Sequence, residues 1–226
     1  MKQPRICVAI AAENIERAGE ALQSVNSSGP DLVEIRLDYM ETVTNLESLR
    51  TKTELPLIAT NRWMREGGRF RGAEEERIDW LLKACDAGFD HIDVELAASE
   101  AIDRLKEMGV SLIISHHDFT GTPSIFRLKE ILDEMIELRP DICKIVGTSL
   151  TEDDNLTYLN LIRGERARAR IVSFGMGERG IISRVLSPIF GGEYTYASMG
   201  QGKATAEGQL SVEKLREIYR LMGMKG

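Results

Sequence analysis

At 226 residues the chain is long enough for one large hydrophobic core, a size at which α/β barrels commonly stand as one domain, whereas two equal domains would each be small. A hydrophobic content of 42% with 29% charged residues excludes a disordered chain. The 29 basic and 36 acidic residues give a net charge of −7, which disfavours nonspecific attraction to nucleic acid or to an anionic membrane. A small anionic substrate remains open, provided a few arginines gather locally.

The first apolar run, Ile6 to Ala12, stops at Glu13. It is too short to span a membrane and carries no signal-peptide cleavage pattern, so a cytoplasmic protein is expected. Cys7, Cys85 and Cys143 lie far apart with no CxxC and no histidine at ligand spacing. They predict three reduced thiols, no disulfide framework and no metal site.

Short β-branched, apolar runs recur along the chain: RICVAIA from 5, LVEIRLD from 32, PLIAT from 56, FDHIDVE from 89, SLIIS from 111, ICKIV from 142, ARIVSF from 169 and EYTYASM from 193. Their starts are separated by 22 to 33 residues, room for a strand, a helix and two loops, so successive runs read as βαβ units of a parallel sheet. Between them, Ile15, Ala18, Leu22 and Val25 form one helical stripe and Leu128, Ile131, Leu132 and Met135 another. Thr122 before Pro123, Thr151 with Asp154 three residues on, and Ser211 before VEKL read as helix N-caps. Leu215, Ile218 and Leu221 place a last amphipathic helix after the eighth strand. Periodicity alone fits a closed barrel or an open doubly wound sheet, but the polar residues are spread over the carboxyl ends of many strands, as in a barrel. The expected architecture is a single-domain (β/α)8 TIM barrel spanning 1–226.

Glu34 and Arg36 lie two apart on a strand, hence on one face, where each needs a partner or a ligand. Arg62 and Glu66 flank the end of the third strand, followed by a glycine pair, Gly67 and Gly68, that suggests a tight turn. Structural ion pairs are the plainer alternative for all four charges. His116, His117 and Asp118 end the fifth strand, and since neighbours alternate in direction at most one histidine points into a barrel mouth. Histidine moves protons near neutral pH, although two structural histidines fit the same pattern. Lys144 sits in ICKIV, the most apolar setting of any lysine in the chain. Burial lowers a lysine's pKa, and the neutral amine is a nucleophile toward carbonyls. A lysine paired with an inward carboxylate, or snorkelling from the strand end, would also explain it. The glycines of SFGMGERGIISR, Gly175, Gly177 and Gly180, make a formal GxGxxG, but it follows the seventh strand rather than the first, which argues against a dinucleotide site. In a barrel this loop is a frequent anion site, and Arg184 lies near the helix start that follows. The glycine-rich GQGKATAEGQLSV after strand eight could cover the mouth, with Thr205 and Gln209 offering neutral hydrogen-bonding groups.

Taken together, VEIRLD, the TNRxxxEGG stretch, HHDF, the lysine within an apolar sixth strand, MGERGxxSR and the TAEGQ loop resemble the type I 3-dehydroquinate dehydratases, in that family's order and spacing. The resemblance runs from Glu34 to Gln209. It implies dehydration of 3-dehydroquinate to 3-dehydroshikimate in the shikimate pathway, with no cofactor and no metal. It implies Lys144 as the imine-forming residue, His117 rather than His116 as general acid/base, and Glu66 as the group orienting that histidine. By the same resemblance Arg184 binds the substrate carboxylate, while Glu34, Arg36, Arg62, Thr205 and Gln209 contact hydroxyls, carboxylate or one another. Family members are often homodimers; a small molecule, not nucleic acid or membrane, is the implied partner. This chain departs from the pattern at His116, usually tyrosine, at Thr205, usually serine, and at Glu207, usually proline, where a charge is added and the backbone loosened. A class I aldolase acting on a phosphosugar would use a barrel lysine in the same way, and a non-catalytic metabolite-binding barrel would use it as an ion-pair partner.

Overall fold

All eight apolar runs are strands in the computed structural model, which describes residues 3–199 and 208–224. In chain order they are β1 (Ile6–Ile10), β2 (Leu32–Arg36), β3 (Leu57–Thr60), β4 (His91–Glu95), β5 (Ser111–Asp118), β6 (Ile142–Thr148), β7 (Ile171–Met176) and β8 (Thr195–Ala197). The helices are α1 (Ile15–Asn26), α2 (Glu47–Arg50), α3 (Glu74–Asp86), α4 (Ser99–Glu107), α5 (Ile125–Glu137), α6 (Asp154–Glu165), α7 (Ile181–Leu186) and α8 (Val212–Leu221). Every strand pair is parallel, in the order β7-β6-β5-β4-β3-β2-β1-β8. The outer strands of that order, β7 and β8, approach closely enough for the Glu193 N–H to donate to the Ile171 carbonyl at 2.9 Å. The sheet is thus a nearly closed (β/α)8 barrel.

The predicted apolar stripes face the sheet: Ile15, Ala18, Leu22 and Val25 of α1 and Leu128, Ile131, Leu132 and Met135 of α5 are all buried. Ser211 caps α8 as expected, accepting from the Lys214 N–H at 3.3 Å. Two of the expected caps are displaced. The cap of α5 is Ser124, which accepts from Arg127 N–H at 3.2 Å, because Pro123 occupies the position before it; Thr122 instead donates to the Thr148 carbonyl and accepts from the Tyr158 hydroxyl, both at 3.0 Å. At α6 the roles of the expected pair are reversed. The Asp154 carboxylate reaches back to the N–H groups of Leu150 and Thr151, at 2.7 and 2.8 Å, and the Thr151 hydroxyl is not the cap.

Register is set at the bottom of the barrel by a repeated clasp. Asp31, Asp90 and Asp141, each immediately before an even-numbered strand, donate their N–H to a carbonyl at the start of the preceding strand: Ile6, Leu57 and Leu112, at 2.8, 3.0 and 2.9 Å. Their carboxylates then accept from the N–H of that same residue, at 2.7, 2.8 and 2.7 Å. Glu193 repeats the backbone half before β8 and sends its carboxylate to Arg170 instead, at 2.8 Å. A strand N–H at the sheet end would otherwise lack a partner, so each clasp satisfies a donor and pins two strands together.

Inside, the lowest layers are apolar: Cys7, Leu32, Ile58, Ile113, Ile142, Val172 and Tyr194 are all buried there. Alternate strands supply the side chains of each layer, as barrel geometry requires. Asp141→Ala should lower unfolding free energy by about 1 kcal/mol, the net worth of one hydrogen bond, while Asp141→Asn stays near wild type. Urea denaturation measures both; an unchanged Asp141→Ala midpoint would show that water replaces the carboxylate.

Candidate active site

Above the apolar floor the barrel interior becomes charged. Lys144, midway along β6 and 5% exposed, directs its Nζ at Asp93 Oδ2 (2.7 Å) and the Tyr196 hydroxyl (3.1 Å), with Glu34 Oε1 at 3.6 Å. The other Asp93 oxygen accepts from Arg62 Nη2 at 2.7 Å and from Ser115 Oγ at 2.6 Å, and Ser115 in turn accepts from Arg62 Nη1. Arg62 also meets Glu95 at 3.1 Å, and Glu95 pairs with the buried Arg77. Burial alone would push Asp93 up, but the Arg62 and Lys144 cations hold it well below the usual carboxylate range. Glu34 accepts from Thr60 Oγ1 at 2.7 Å and from the Tyr196 hydroxyl at 3.3 Å. Each charge of this cluster has an opposite neighbour and hydrogen bonds, the condition under which a barrel interior tolerates ions.

Glu34 and Arg36 point to the same side of β2, as their spacing requires, but Arg36 does not pair with Glu34. Its guanidinium forks onto both oxygens of Asp38, each at 2.8 Å, and lies 5.1 Å from the Tyr39 ring. Glu66 lies in the short 3-10 turn Met64–Glu66 after β3, and its Oε2 stands 3.4 Å from His117 Nδ1. Gly67 closes that turn at φ 76°, and a Cβ there would strike the Phe119 ring; one at Gly68 would strike the Arg62 carbonyl. The glycine pair is a turn packed against the site. Phe119 stacks on the His117 ring, with centroids 6.4 Å apart and planes 19° off parallel. Of the two histidines, His117 lines the cavity; the field at His116 comes from Asp118 and, on α5, Arg127 and Glu134. Burial, followed by the Arg62 and Lys144 cations, pushes His117 well below the usual histidine range. Burial raises Glu66 to about 7.

Arg184 reaches the same cavity from α7. It is 1% exposed, its guanidinium lies 4.3 Å from the Phe174 centroid, and its Nε and Nη2 have no hydrogen-bond partner among the described residues. Burial lowers it to about 10, so it remains cationic at neutral pH. Of the anion site expected at this loop, Arg184 lines the cavity, while two of the backbone donors are already taken. The N–H of Ser183 goes to Asn155 Oδ1 at 2.8 Å and that of Gly180 to the Gly177 carbonyl at 3.1 Å. The GxGxxG glycines serve packing instead, since a Cβ on Gly180 would collide with Gly175.

One cavity, about 110 Å³, is lined by Glu34, Arg36, Arg62, Glu66, His117, Lys144, Arg184 and Gln209, together with Phe174, Met176 and Tyr196. Eight of the nine expected site residues therefore converge; Thr205, with Glu207, lies outside the described residues. The sequence reading missed Asp93, Ser115, Glu95 and Tyr196. A signal was available for two of them: the residue three after each clasp is Glu34, Asp93, Lys144 and Tyr196, an alignment visible once the even-numbered strands are superposed. The arrangement can present an amine to a carbonyl, place an imidazole beside it and hold an anion against Arg184. Among the described residues no cluster of His, Cys, Asp or Glu side chains is arranged as a metal-ligand set, and no helix is long and apolar enough to cross a membrane.

Comparison with known proteins gives this geometry its family. The model of type I 3-dehydroquinase matches residues 6–226. The 3-dehydroquinate dehydratase of Dehalococcoides mccartyi (strain BAV1) is 38% identical over 223 residues, covering 97% of this chain and 96% of that protein. The solved 3-dehydroquinate dehydratase of Geobacillus kaustophilus superposes with a TM-score of 0.90 at 26% identity, over 98% of this chain and 91% of that one. The type I 3-dehydroquinate dehydratase of Clostridium difficile, solved with covalently modified comenic acid, also gives 0.90, at 29% identity over 98% and 93%. With the barrel, the cavity and a match across nearly its whole length in agreement, the chain belongs to the type I 3-dehydroquinase family.

Proposed function

We propose that the chain, as one catalytic domain, dehydrates 3-dehydroquinate to 3-dehydroshikimate through an imine on Lys144. One observation carries the reading: a lysine amine, an imidazole and a buried guanidinium whose Nε and Nη2 have no hydrogen-bond partner among the described residues share one cavity. A lone buried cation is costly, and a substrate carboxylate removes the cost, so Arg184 is the carboxylate anchor. Anchoring there orients the rest of a cyclic keto acid toward Lys144. The covalently modified ligand in the Clostridium difficile relative is consistent with a nucleophilic mechanism.

Lys144 attacks the C3 ketone, and loss of water gives an iminium. The iminium draws the electrons of the C2–H bond into an enamine while His117 takes the proton. The enamine then expels the C1 hydroxyl, which leaves as water with a proton from His117, and hydrolysis of the conjugated iminium frees the product and the lysine. Glu66, on the Nδ1 side of His117, fixes the ring and its tautomer. Glu34, Arg36, Arg62, Thr205 and Gln209 are assigned to substrate hydroxyls, carboxylate or one another, with Arg62 acting mainly from behind because Asp93, Glu95 and Ser115 occupy it. A cytoplasmic location and a homodimer accompany this family assignment.

Borohydride added during turnover of 3-dehydroquinate should leave a reduced adduct on Lys144, and Lys144→Ala should lose turnover while keeping its fold by circular dichroism. Asp93 keeps Arg62 and Ser115 in that variant, and Glu34 keeps the hydroxyls of Thr60 and Tyr196. Trapping by phosphosugars alone, or dehydration by Lys144→Ala, overturns the mechanism.

Arg184→Met should abolish binding of the substrate and yet make the unliganded protein more stable, by about 1 kcal/mol or more, since a buried charge with no ion-pair partner among the described residues is replaced by an apolar side chain. Calorimetric titration and urea denaturation check the two halves.

Glu66 should govern the pH profile. Its carboxyl is raised from 4.5 to about 7, so above that pH it is an acceptor only, which fixes the tautomer with His117 Nδ1–H donating and Nε2 free as a base. The rate of dehydration should rise through pH 7, and Glu66→Gln should remove that limb with a loss of about 10²-fold. The sign for stability is opposite. A carboxyl raised in the fold contributes stability below its unfolded value of 4.5 that is lost as pH climbs through about 7, a slope Glu66→Gln should flatten.

A further inference from the structure

The centre of the site repeats four times. Asp31, Asp90, Asp141 and Glu193 each make a backbone hydrogen bond to the strand before, and three residues after each stands Glu34, Asp93, Lys144 or Tyr196. These four come from β2, β4, β6 and the strand region of β8, the alternate strands that supply one layer of a barrel interior. In this barrel that layer is polar, and Tyr196 is the member without a charge. Its hydroxyl accepts from Lys144 Nζ at 3.1 Å and donates to Glu34 Oε1 at 3.3 Å, and its ring centroid lies 4.8 Å from the same nitrogen.

We propose that Tyr196 is a positioning residue for imine formation, holding one N–H of Lys144 so that the lone pair of the amine opens toward the substrate. The proposal rests on the imine reading above. An ammonium has three N–H donors. Asp93 takes one, Tyr196 a second, and the third direction is on the side of Glu34, which lines the cavity. A neutral amine has two donors and one lone pair. With Asp93 and Tyr196 keeping the two donors, the lone pair falls where the third proton was.

The step balances without any further reactant. The ammonium gives one proton to the Glu34 carboxylate, and the lone pair forms the N–C bond while the carbonyl π electrons move to oxygen. Glu34 returns its proton to that oxygen. A second nitrogen proton joins it, the C–O bond breaks, and water leaves an iminium that keeps the third hydrogen.

The geometry also separates orientation from packing. The Tyr196 ring makes edge contacts with Phe174, centroids 6.1 Å apart, and with Tyr194 at 5.6 Å. Tyr196→Phe keeps both contacts and removes only the oxygen.

The test is single-turnover borohydride trapping of 3-dehydroquinate on wild type and Tyr196→Phe across pH, with KM and the urea midpoint measured alongside. The variant should trap and turn over about 10- to 100-fold more slowly, the scale expected when a reacting group is misaimed. Its KM and urea midpoint should stay near wild type, and the deficit should persist at every pH. A trapping rate equal to wild type overturns the proposal, as does a deficit matched by a lower urea midpoint. A deficit that vanishes at high pH overturns it as well, because it assigns the hydroxyl to proton removal rather than aim. Failure of the wild type itself to trap overturns the imine reading and is seen in the same experiment.

Discussion

The buried ion cluster of Lys144, Asp93 and Arg62 is the constraint on which the rest of this barrel depends. Two cations share one carboxylate at 2.7 Å each, inside a sheet whose lower layers are built of hydrophobic side chains. None of the three is tolerable there alone, because an ion removed from water without a partner costs several kcal/mol. The partners come from β4, β6 and the turn after β3, so the cluster exists only if those strands hold one relative register. A slip of one residue would turn Lys144 into the helix layer and leave Asp93 facing Arg62 alone. The acidic clasps at the bottom of the barrel prevent that slip at the opposite end of the same strands.

The cluster also makes the site asymmetric. Carboxylates gather on the β2 to β4 side, where Glu34, Asp93 and Glu95 are each held by hydrogen bonds and a nearby cation. On the β6 to β8 side the lining is Val146, Phe174, Met176 and Tyr196, and Arg184 stands over Phe174 with no carboxylate to meet it among the described residues. Crossing the cavity to reach an acid would remove Arg184 from the ring that supports it. One wall therefore offers saturated polar groups suited to hydroxyls, and the other an unspent positive charge suited to a carboxylate. Lys144 and His117 lie between them. An anionic polyhydroxylated ring has one orientation in such a field, and positioning of that kind accounts for much of what an active site contributes.

Much of this was legible in the chain itself. Each of the eight strands appears as an apolar run, and eight of the nine expected site residues line one cavity. Lys144 among ICKIV lines the cavity and is paired with an inward carboxylate, the plainer of the explanations offered for it. What stayed hidden was the partner. Asp93 in FDHIDVE reads as an ordinary half-buried strand residue, because nothing local says which of two alternating faces is the interior of a barrel. The cap assignments at Thr122 and Thr151 erred for a related reason: several side chains near each helix start compete for the same N–H groups, and only backbone geometry chooses among them. At the loop after the seventh strand the sequence could not reveal that Asn155 already accepts from the Ser183 N–H.

By itself, then, the sequence determined the periods, the strand count, the resemblance and the residue types that chemistry needs, because all of these are properties of neighbours along the chain. Tertiary structure decided the pairings: Arg36 with Asp38 rather than Glu34, Arg62 behind Asp93, Tyr196 against Lys144, and Arg184 over Phe174 with no carboxylate partner among the described residues. The reason is physical. A charge acquires its meaning from what lies within a few ångströms after burial, and in a barrel those groups come from strands scores of residues apart.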